Sequence, residues 1–460
     1  MNTLLIIATL LVFVGVIWFV PDLGPGALTL CAVVSLPTLM ILLRRAGEER
    51  RFLLRLFVIA ILVRIALATA INVGGLEAFF GGDAHTYDIF GKSLLQSWYG
   101  NIYHSARFDG FMQSGAGAWG MLYLVAAVYA VIGENLYAIA LINASVGAAT
   151  AVVVYYVAQT LFSNTRVSRL AALLVAFFPS LILWSSQALK DGLIILALVV
   201  AILSTIRLME KITLRYVLVL TACLLALLSL RFYIFYMMVA AVVGSFVIGI
   251  KSLSAQSFVQ RFVAIGIMGL AFTWFGVLRY AGMQFSRYAD LKTIQMSRTD
   301  QANAGSGFGK DVDVGTTEGA LTAIPVGLVY LLFAPFPWDM QTLRQSITLP
   351  EMLIWWAAFP LLVLGLWFGL RYRLRQVAPI VIFTTMLTLA YSVFQGNVGT
   401  AYRQRSQLLV FYFIFVAVGA VLLKERAEDR QRQQQLAKQE LAELQAARVA
   451  ARRQRMHPQT

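Results

Sequence analysis

The sequence Phe80-Gly81-Gly82-Asp83-Ala84-His85-Thr86-Tyr87-Asp88 is a short polar stretch between two long apolar regions. It joins two carboxylates, a histidine and a tyrosine to a glycine pair, which lets the backbone turn sharply. An apolar run long enough to cross a bilayer directly precedes it. We therefore predict that the chain leaves the membrane here and that Asp83 is the reactive group of this stretch.

The composition of the 460-residue chain indicates a membrane protein, because 60% of the residues are hydrophobic and only 13% are charged. Soluble domains carry about 25% charged residues, so lipid must cover most of this chain. The formal net charge of +15 comes from short basic clusters at the ends of apolar runs, a pattern typical of topology signals. We predict an all-α polytopic membrane protein with membrane lipids, and no nucleic acid, as its partners.

Twelve apolar runs reach or approach the roughly 20 residues that a spanning helix needs. They are Thr3–Val20, Ala27–Leu43, Phe52–Val73, Leu136–Phe162, Leu170–Ser185, Gly192–Leu208, Leu214–Leu230, Phe232–Ile250, Phe258–Tyr280, Pro350–Leu370, Pro379–Phe394 and Leu408–Leu423. Two further runs, Ala116–Ile132 and Leu321–Phe336, are shorter and richer in Gly, Ala and Pro. We expect about 12 transmembrane helices plus these two as re-entrant or interfacial helices.

Basic clusters assign the two ends of the spans, because Lys and Arg prefer the cytoplasmic side. If only the twelve runs cross, Arg44-Arg45, Arg166 and the cluster at 371–375 share one face. Both termini are then cytoplasmic, and the longer segments 74–134 and 281–349 lie outside. We expect a membrane-embedded unit, residues 1–423, followed by a basic helical cytoplasmic tail, residues 424–460. Compact loops without a targeting signal favour a bacterial inner membrane.

Ionisable side chains gather at the predicted outer ends of several spans, where such groups usually face a cavity or a partner. An acid ringed by Lys and Arg suits a reaction in which a base removes a proton from a hydroxyl while cations hold a phosphate leaving group. For any single arginine, the competing interpretation is a structural pair with an intramembrane carboxylate, or a side chain that snorkels to the interface.

Three stretches resemble one known family. Gly82-Asp83-Ala84-x-x-Tyr87 resembles the first outer loop of GT-C fold glycosyltransferases, the group that includes the family 39 protein mannosyltransferases and bacterial lipid-linked-sugar transferases. The stretch from Phe178-Pro179 to Lys190-Asp191-Gly192 is similar to their next outer turn. Gly396-Asn397-x-Gly399-Thr400-x-x-Arg403-x-Arg405 is similar to the Arg-bearing stretch before their last spans. The resemblance covers about Gly74 to Leu423, in motif order.

The resemblance implies a GT-C-like fold and a polyprenyl-phosphate-linked sugar donor. It also implies an inverting transfer to a glycan, lipid or protein hydroxyl on the outer face. With Asp83 as the general base, the predicted substrate-binding residues are His85, Tyr87, Asp88, Lys190, Asp191, Arg231, Arg403 and Arg405. Many family members carry a second acid beside the motif aspartate, where Ala84 stands here. Metal dependence therefore stays open, and we expect no metal and no other cofactor.

Two other functions fit parts of the pattern. A polysaccharide polymerase or an enzyme like the O-antigen ligases would rely on the arginines and would need no obligatory acid. A transporter or flippase is less favoured, because the sequence has no convincing internal repeat and its ionisable groups gather at one face rather than at the midplane.

Overall fold

The computed structural model describes residues 3–113, 119–248, 290–340 and 342–456, together with isolated positions between 266 and 282. Within these residues the chain is helical and contains no β-strand; its one isolated bridge joins Gly307 to Asn397. The all-α class predicted from the sequence is confirmed.

The helices are numbered here in chain order over the described residues. They are α1 (Thr3–Phe19), α2 (Gly24–Leu43), α3 (Gly47–Val73), α4 (Glu77–Phe80), α5 (Asp83–Trp98), α6 (Ile102–Gln113), α7 (Trp119–Ile132), α8 (Leu136–Phe162), α9 (Thr165–Phe177), α10 (Pro179–Trp184), α11 (Asp191–Glu210), α12 (Leu214–Leu230), α13 (Phe232–Ile248), α14 (Leu291–Ala302), α15 (Thr317–Phe333), α16 (Leu343–Phe394) and α17 (Val398–Met456). A short 3-10 helix, Pro337–Asp339, lies between α15 and α16.

Six of these helices, α2, α3, α8, α11, α16 and α17, are long and apolar enough to cross a membrane, and α1, α7, α12, α13 and α15 are shorter apolar helices. The chain is a multi-pass membrane protein. The expected number of about 12 crossings stays a prediction, as does the re-entrant character of Ala116–Ile132 and Leu321–Phe336. The predicted span Phe258–Tyr280 lies largely outside the described residues.

Helix α8 is the centre of the bundle and is buried on all sides among α2, α3, α9 and α11. Its Ala-rich sequence, with a single glycine, lets neighbouring backbones approach closely, as small residues do in membrane proteins. Gly147 is the tightest case, because a Cβ there would lie 2.5 Å from Ser185 Oγ and 2.7 Å from Arg64 Nε. The middle of α8 thus holds the polar segment that precedes α11.

The predicted span Leu170–Ser185 is two helices instead of one. The chain breaks at Phe178, whose backbone is extended (φ −70°, ψ 128°), and α10 begins at Pro179. Proline has no backbone N–H and disfavours the helical conformation in the residue before it. The break leaves a compact non-helical segment, 185–190, immediately before Asp191.

Helix α16 contains both predicted runs Pro350–Leu370 and Pro379–Phe394, joined through a non-helical residue, Arg373. The two halves of α16 run antiparallel to each other, as their contacts with α17 show. In the first half, Trp355 lies beside Phe413 and Gly365 beside Phe415, so residue numbers rise in both helices. In the second half, the later residue Tyr391 contacts the earlier residue Gln407. Helix α17 then continues without a break from Val398 to Met456. Its exposed part covers most of the predicted tail, and the division at residue 423 stays a prediction.

The segment 74–134, predicted as an outer loop, is mostly helical and forms α4 to α7. Asp83 is the first residue of α5, where a carboxylate interacts favourably with the positive end of the helix dipole. The turn before it uses Gly81 at φ 147°, a conformation that side chains rarely adopt. Asp83 therefore projects from a helix N-terminus.

Candidate functional site

Two aspartates from distant parts of the chain share one arginine. Arg403, in the second turn of α17, donates from Nε (2.8 Å) and Nη2 (2.5 Å) to Asp191 Oδ2, and from Nη1 (2.7 Å) to Asp83 Oδ2. The Asp191 side chain is 0% exposed, that of Arg403 14% and that of Asp83 51%. The arginine thus joins an inner carboxylate, Asp191, to an outer carboxylate, Asp83.

The inner carboxylate is held from several sides. Arg231 Nη2 lies 3.8 Å from Asp191 Oδ1, and Gln407 Nε2 lies 3.5 Å from the same oxygen. The segment before Asp191 is fixed by Asn143 of α8, which donates to the carbonyls of Gln187 (2.7 Å) and Leu189 (2.6 Å). Asp191 therefore has a rigid position from which it orients the arginines.

Arg231 lies in the non-helical junction between α12 and α13, at φ −160° and ψ 88°. Its guanidinium carbon lies 5.7 Å from the centre of the Tyr233 ring. Nη1 is buried and has no hydrogen-bond partner within the described part of the chain. An unmet donor of this kind is costly and needs an acceptor, so Arg231 has hydrogen-bonding capacity to offer an anion.

A cavity of about 720 Å³ lies beside the arginine and carboxylate side chains, and we call it the arginine-lined cavity. Arg231, Arg403 and Asp83 line one part of its wall. Phe79, Phe80 and Trp184 supply aromatic surface, and the Trp184 ring centre lies 5.8 Å from the Arg403 guanidinium carbon. Such a cavity has room for a sugar and a phosphate and presents cations, a carboxylate and aromatic faces together.

Lys190 lies directly before the inner carboxylate, at the N-cap of α11. Burial, followed by the nearby positive charge of Arg231, lowers the pKa of the Lys190 ammonium to about 7. Within the described residues Lys190 makes no ion pair. Its charge is therefore sensitive to pH near neutrality and to any anion that enters the site.

Tyr87 lies one helical turn after Asp83, on the same face of α5. It is buried, and burial together with the charges of Asp83 and Asp191 raises the pKa of its phenol. Tyr87 thus remains a neutral hydroxyl beside the two carboxylates. Asp83, Tyr87, Lys190 and Asp191 therefore lie together with the two arginines, and their roles in catalysis and substrate binding stay predictions.

Three predicted substrate-binding residues lie elsewhere. Arg405 is buried and donates to the carbonyl oxygens of Leu332 (2.9 Å) and Ala334 (2.6 Å), so it joins α17 to the end of α15. Asp88 accepts from Tyr129 (2.6 Å) and pairs with Lys92 (3.0 Å) within the α5–α7 packing.

His85, the third of these residues, is exposed, two residues beyond Asp83 and on the opposite side of α5. Residues two apart on a helix differ by about 200° in direction. Arg405, two residues beyond Arg403 on α17, therefore also points away from the site that contains Arg403.

A loop after α14 covers the arginine-lined cavity. Arg298 is buried in α14 and donates to the carbonyls of Val393 (3.3 Å) and Gln395. Ser306 Oγ donates to Asn397 Oδ1 (2.9 Å), and the main chains pair at Phe308 N to Gly396 O (2.8 Å). These hydrogen bonds hold the loop against the turn that begins α17. Because Arg403 lies in the second turn of α17, the same part of the helix positions both the loop and Arg403.

A second cavity, of about 650 Å³, lies next to the first and is lined mainly by aromatic and apolar side chains. We call it the aromatic-lined cavity; its walls are Phe232, Tyr233, Tyr236 and Met237 of α13, residues of α14, and Met386 and Phe394 of α16. Gln301 and Gln404 line both cavities and form the wall between them. An apolar groove therefore adjoins the arginine cluster, and both begin at the Arg231–Phe232 junction.

Sequence reasoning missed several residues of this site. Arg64 is fully buried in α3 and donates to Ser185 Oγ (2.7 Å) and to the Ala176 carbonyl (2.9 Å), so it supports the segment that leads to Asp191. A charge in the middle of an apolar span is the signal that could have identified it. Arg344, an exposed residue near the start of α16, also lines the arginine-lined cavity. It lies outside every stretch that carried the family resemblance.

Within the described ranges, no three side chains of His, Cys, Asp or Glu lie close enough together to bind one metal ion. The two carboxylates of the site are bridged by an arginine. The expectation that the protein uses no metal and no other cofactor stays a prediction.

The fold and site define a class: a multi-pass helical membrane protein with a cavity in which arginines and carboxylates meet at the ends of its helices. Residues 118–278 match the family model described as dolichyl-phosphate-mannose-protein mannosyltransferase. This segment runs from the start of α7 beyond α13 and includes Lys190, Asp191 and Arg231. This part of the chain is therefore similar to a GT-C mannosyltransferase family, as the resemblance implied.

Two solved structures resemble the chain in outline. One is the archaeal oligosaccharyltransferase AglB from Archaeoglobus fulgidus in complex with an inhibitory peptide and a dolichol-phosphate, at 12% identity and a TM-score of 0.49, covering 85% of this chain and 52% of that one. The other is the Archaeoglobus fulgidus oligosaccharyltransferase in the apo form, at 12% identity and a TM-score of 0.45, covering 83% and 52%. This chain thus spans about half the length of these proteins. No curated protein matches it.

Proposed function

We propose that the protein transfers a sugar from a polyprenyl-phosphate donor to an acceptor hydroxyl in the arginine-lined cavity. The observation that carries this proposal is the Asp83–Arg403–Asp191 arrangement, with Arg231 beside it. It brings a half-exposed carboxylate and two permanent cations into one cavity, which is what a base-assisted displacement of a phosphate requires.

The phosphate of the donor binds between Arg403 and Arg231. Arg403 presents Nη1, which now pairs with Asp83, on the cavity side while Asp191 fixes Nε and Nη2, and the Arg231 side chain lines the same cavity. Planar guanidinium groups match phosphate oxygens better than a single ammonium does. Protonated Lys190 adds a third positive charge behind them.

The prenyl chain of the donor occupies the aromatic-lined cavity. Its lining of Phe, Tyr and Met side chains suits a flexible hydrocarbon, and it begins at Phe232, the residue after the proposed phosphate ligand Arg231. Pro335, beyond α15, lines the neighbouring arginine-lined cavity.

Asp83 acts as the general base. It takes the proton from the acceptor hydroxyl, the oxygen attacks the anomeric carbon from the side opposite the phosphate, and the bond from that carbon to the phosphate oxygen breaks. The electron pair leaves with the prenyl phosphate, whose charge the arginines stabilise. One displacement of this kind inverts the anomeric centre. Asp191 cannot take this role because it is fully buried and bound on both oxygens.

We place the reaction on the outer face of a cell membrane, with both termini in the cytoplasm. Helix α17 begins beside the cavity and runs for more than a membrane thickness before Glu428 pairs with Arg166 (2.7 Å). The basic cluster 371–375 also lies at the turn of α16 away from the cavity. The positive-inside rule then assigns the cavity to the other side.

A test uses purified protein in lipid nanodiscs, a panel of prenyl-phosphate sugars and detection of released prenyl phosphate. Asp83→Asn is expected to lower turnover by about 10²- to 10⁴-fold, because it removes the base. Glu77→Gln is a matched control that neutralises a carboxylate in neighbouring helix α4. Normal turnover in Asp83→Asn, with activity lost only in Arg403 and Arg231 variants, would favour the polymerase- or ligase-like alternative.

A further inference from the structure

The outer carboxylate, Asp83, binds the same guanidinium, that of Arg403, to which the donor phosphate is proposed to bind. Asp191 accepts from Nε and Nη2 of Arg403, and Asp83 accepts from Nη1, so the two carboxylates use three of the five guanidinium N–H donors. Trp184 lies near its face, with 5.8 Å between ring centre and guanidinium carbon. A phosphate that binds Arg403 from the cavity therefore meets the Asp83 carboxylate at Nη1.

The two carboxylates differ in how firmly they are held. Asp191 is fully buried and contacts Arg403, Arg231 and Gln407. Asp83 is half-exposed, and within the described part of the chain its only ion pair is with Arg403. Gly81 and Gly82 precede it in open space, with no atom within 4 Å of a Cβ built at either position. An entering anion would displace the outer carboxylate and leave the inner one in place.

Charge balance gives the same direction. Arg403 and Arg231 are offset by Asp83 and Asp191, so these four groups are formally neutral together, and only a protonated Lys190 adds a positive charge for an anion. When Asp83 leaves, the remaining groups carry one positive charge, which a phosphodiester can neutralise. Charges in a partly buried site interact strongly, because water screens them less than at the surface.

Displacement also changes what Asp83 can do. While it is paired, Oδ2 of Asp83 accepts the Arg403 N–H, so this carboxylate is held at the arginine and not at an acceptor hydroxyl. We propose that the donor phosphate and Asp83 compete for Nη1 of Arg403, so that donor binding releases the base and the acceptor is activated only after the donor is in place. This inference rests on the proposed function and adds the order of its two binding steps.

The test measures equilibrium binding of farnesyl phosphate to the full-length protein in detergent, with no acceptor present. Asp83→Asn and Asp83→Ser are expected to bind about three- to fivefold more tightly than the unmodified protein, because a competitor of this exposure is removed. Both variants change a half-exposed position, so folding is checked by their unfolding transitions. Farnesol and inorganic phosphate separate the contribution of the chain from that of the anion.

Two controls decide whether the gain comes from this contact. Glu77→Gln removes a nearby negative charge that does not bind Arg403, and it should leave the affinity unchanged. In an Arg403→Gln background, Asp83→Asn should no longer tighten binding, because the contested donor is gone.

Equal or weaker binding in Asp83→Asn would overturn the proposal, as would an equal gain in Glu77→Gln or a gain that persists without Arg403. If the unmodified protein does not prefer farnesyl phosphate to farnesol, the proposed function itself fails, and the order of binding fails with it.

Discussion

Replacing Asp191 with asparagine removes the charge that orients both site arginines. The side chain of Asp191 is 0% exposed, and those of Arg403 and Arg231 are 14% and 10% exposed. Removing one partner of a buried ion pair typically costs about 3–5 kcal/mol, since the other charge stays buried without compensation. Asp83 still offsets part of the Arg403 charge, so we expect Asp191→Asn to lose about 3 kcal/mol of unfolding free energy.

Unfolding can be followed with a thiol-reactive fluorophore during a denaturant titration. Cys31 is buried and Cys223 is partly buried, so both become more reactive when the helices separate. The double variant Asp191→Asn/Arg403→Gln is the matched control, because it removes one charge of each sign. It should recover most of the lost stability while remaining inactive.

Farnesyl phosphate supplies a further control, because its anion can replace the missing carboxylate. It should stabilise Asp191→Asn more than it stabilises the unmodified protein, since only the variant has uncompensated arginines. Asp191→Asn with unchanged stability, or a double variant less stable than the single one, would show that Asp191 does not balance these charges.

Three other perturbations test separate parts of the structure. The affinity for a prenyl phosphodiester should fall as pH rises through about 7, because Lys190 binds the anion only when protonated; this dependence should disappear in Lys190→Met. Arg405→Gln should lower the unfolding free energy with little change in KM, whereas Arg403→Gln should weaken donor binding, and denaturant titrations with initial-rate measurements separate the two. Gly365→Ala should destabilise the protein by more than 1 kcal/mol, roughly the least that overpacking costs, because its Cβ would overlap a backbone oxygen of α17. Gly15→Ala, in open space on α1, should be neutral in the same denaturant titration.

Much of the site could be predicted from where polar residues interrupt the apolar pattern. Asp83, Lys190, Asp191, Arg231 and Arg403 each stand at or beside the end of an apolar run. Successive spans cross the membrane in opposite directions, so the end of one span and the start of the next lie on the same side. Residues at such ends can meet if the number of crossings between them is right. The number and direction of the membrane crossings, which the composition and the basic clusters indicate, were therefore enough to predict that these residues meet.

The roles of neighbouring residues needed local conformation, which the sequence interpretation lacked. Asp83 lies in the predicted outer segment 74–134 and Arg403 in the stretch before the predicted span Leu408–Leu423, but both residues lie in the first two turns of helices. On a helix, residues two apart face opposite directions, and residues four apart share a face. That geometry separates Arg405 from Arg403 and His85 from Asp83, and it keeps Tyr87 in the site. The family resemblance grouped these residues because it compared order along the chain and not direction.

Charge pairing also explains how two buried arginines are compatible with a stable fold. Two arginines this deeply buried would be costly without partners, yet a site in which both were permanently neutralised could not attract a phosphate. Asp191 and Asp83 divide these tasks by burial: the inner carboxylate balances the cluster and stays bound, and the outer one balances it only until a ligand arrives. A second fully buried acid in place of Asp83 would also neutralise the arginines, but it would remove both the exchangeable position and the base.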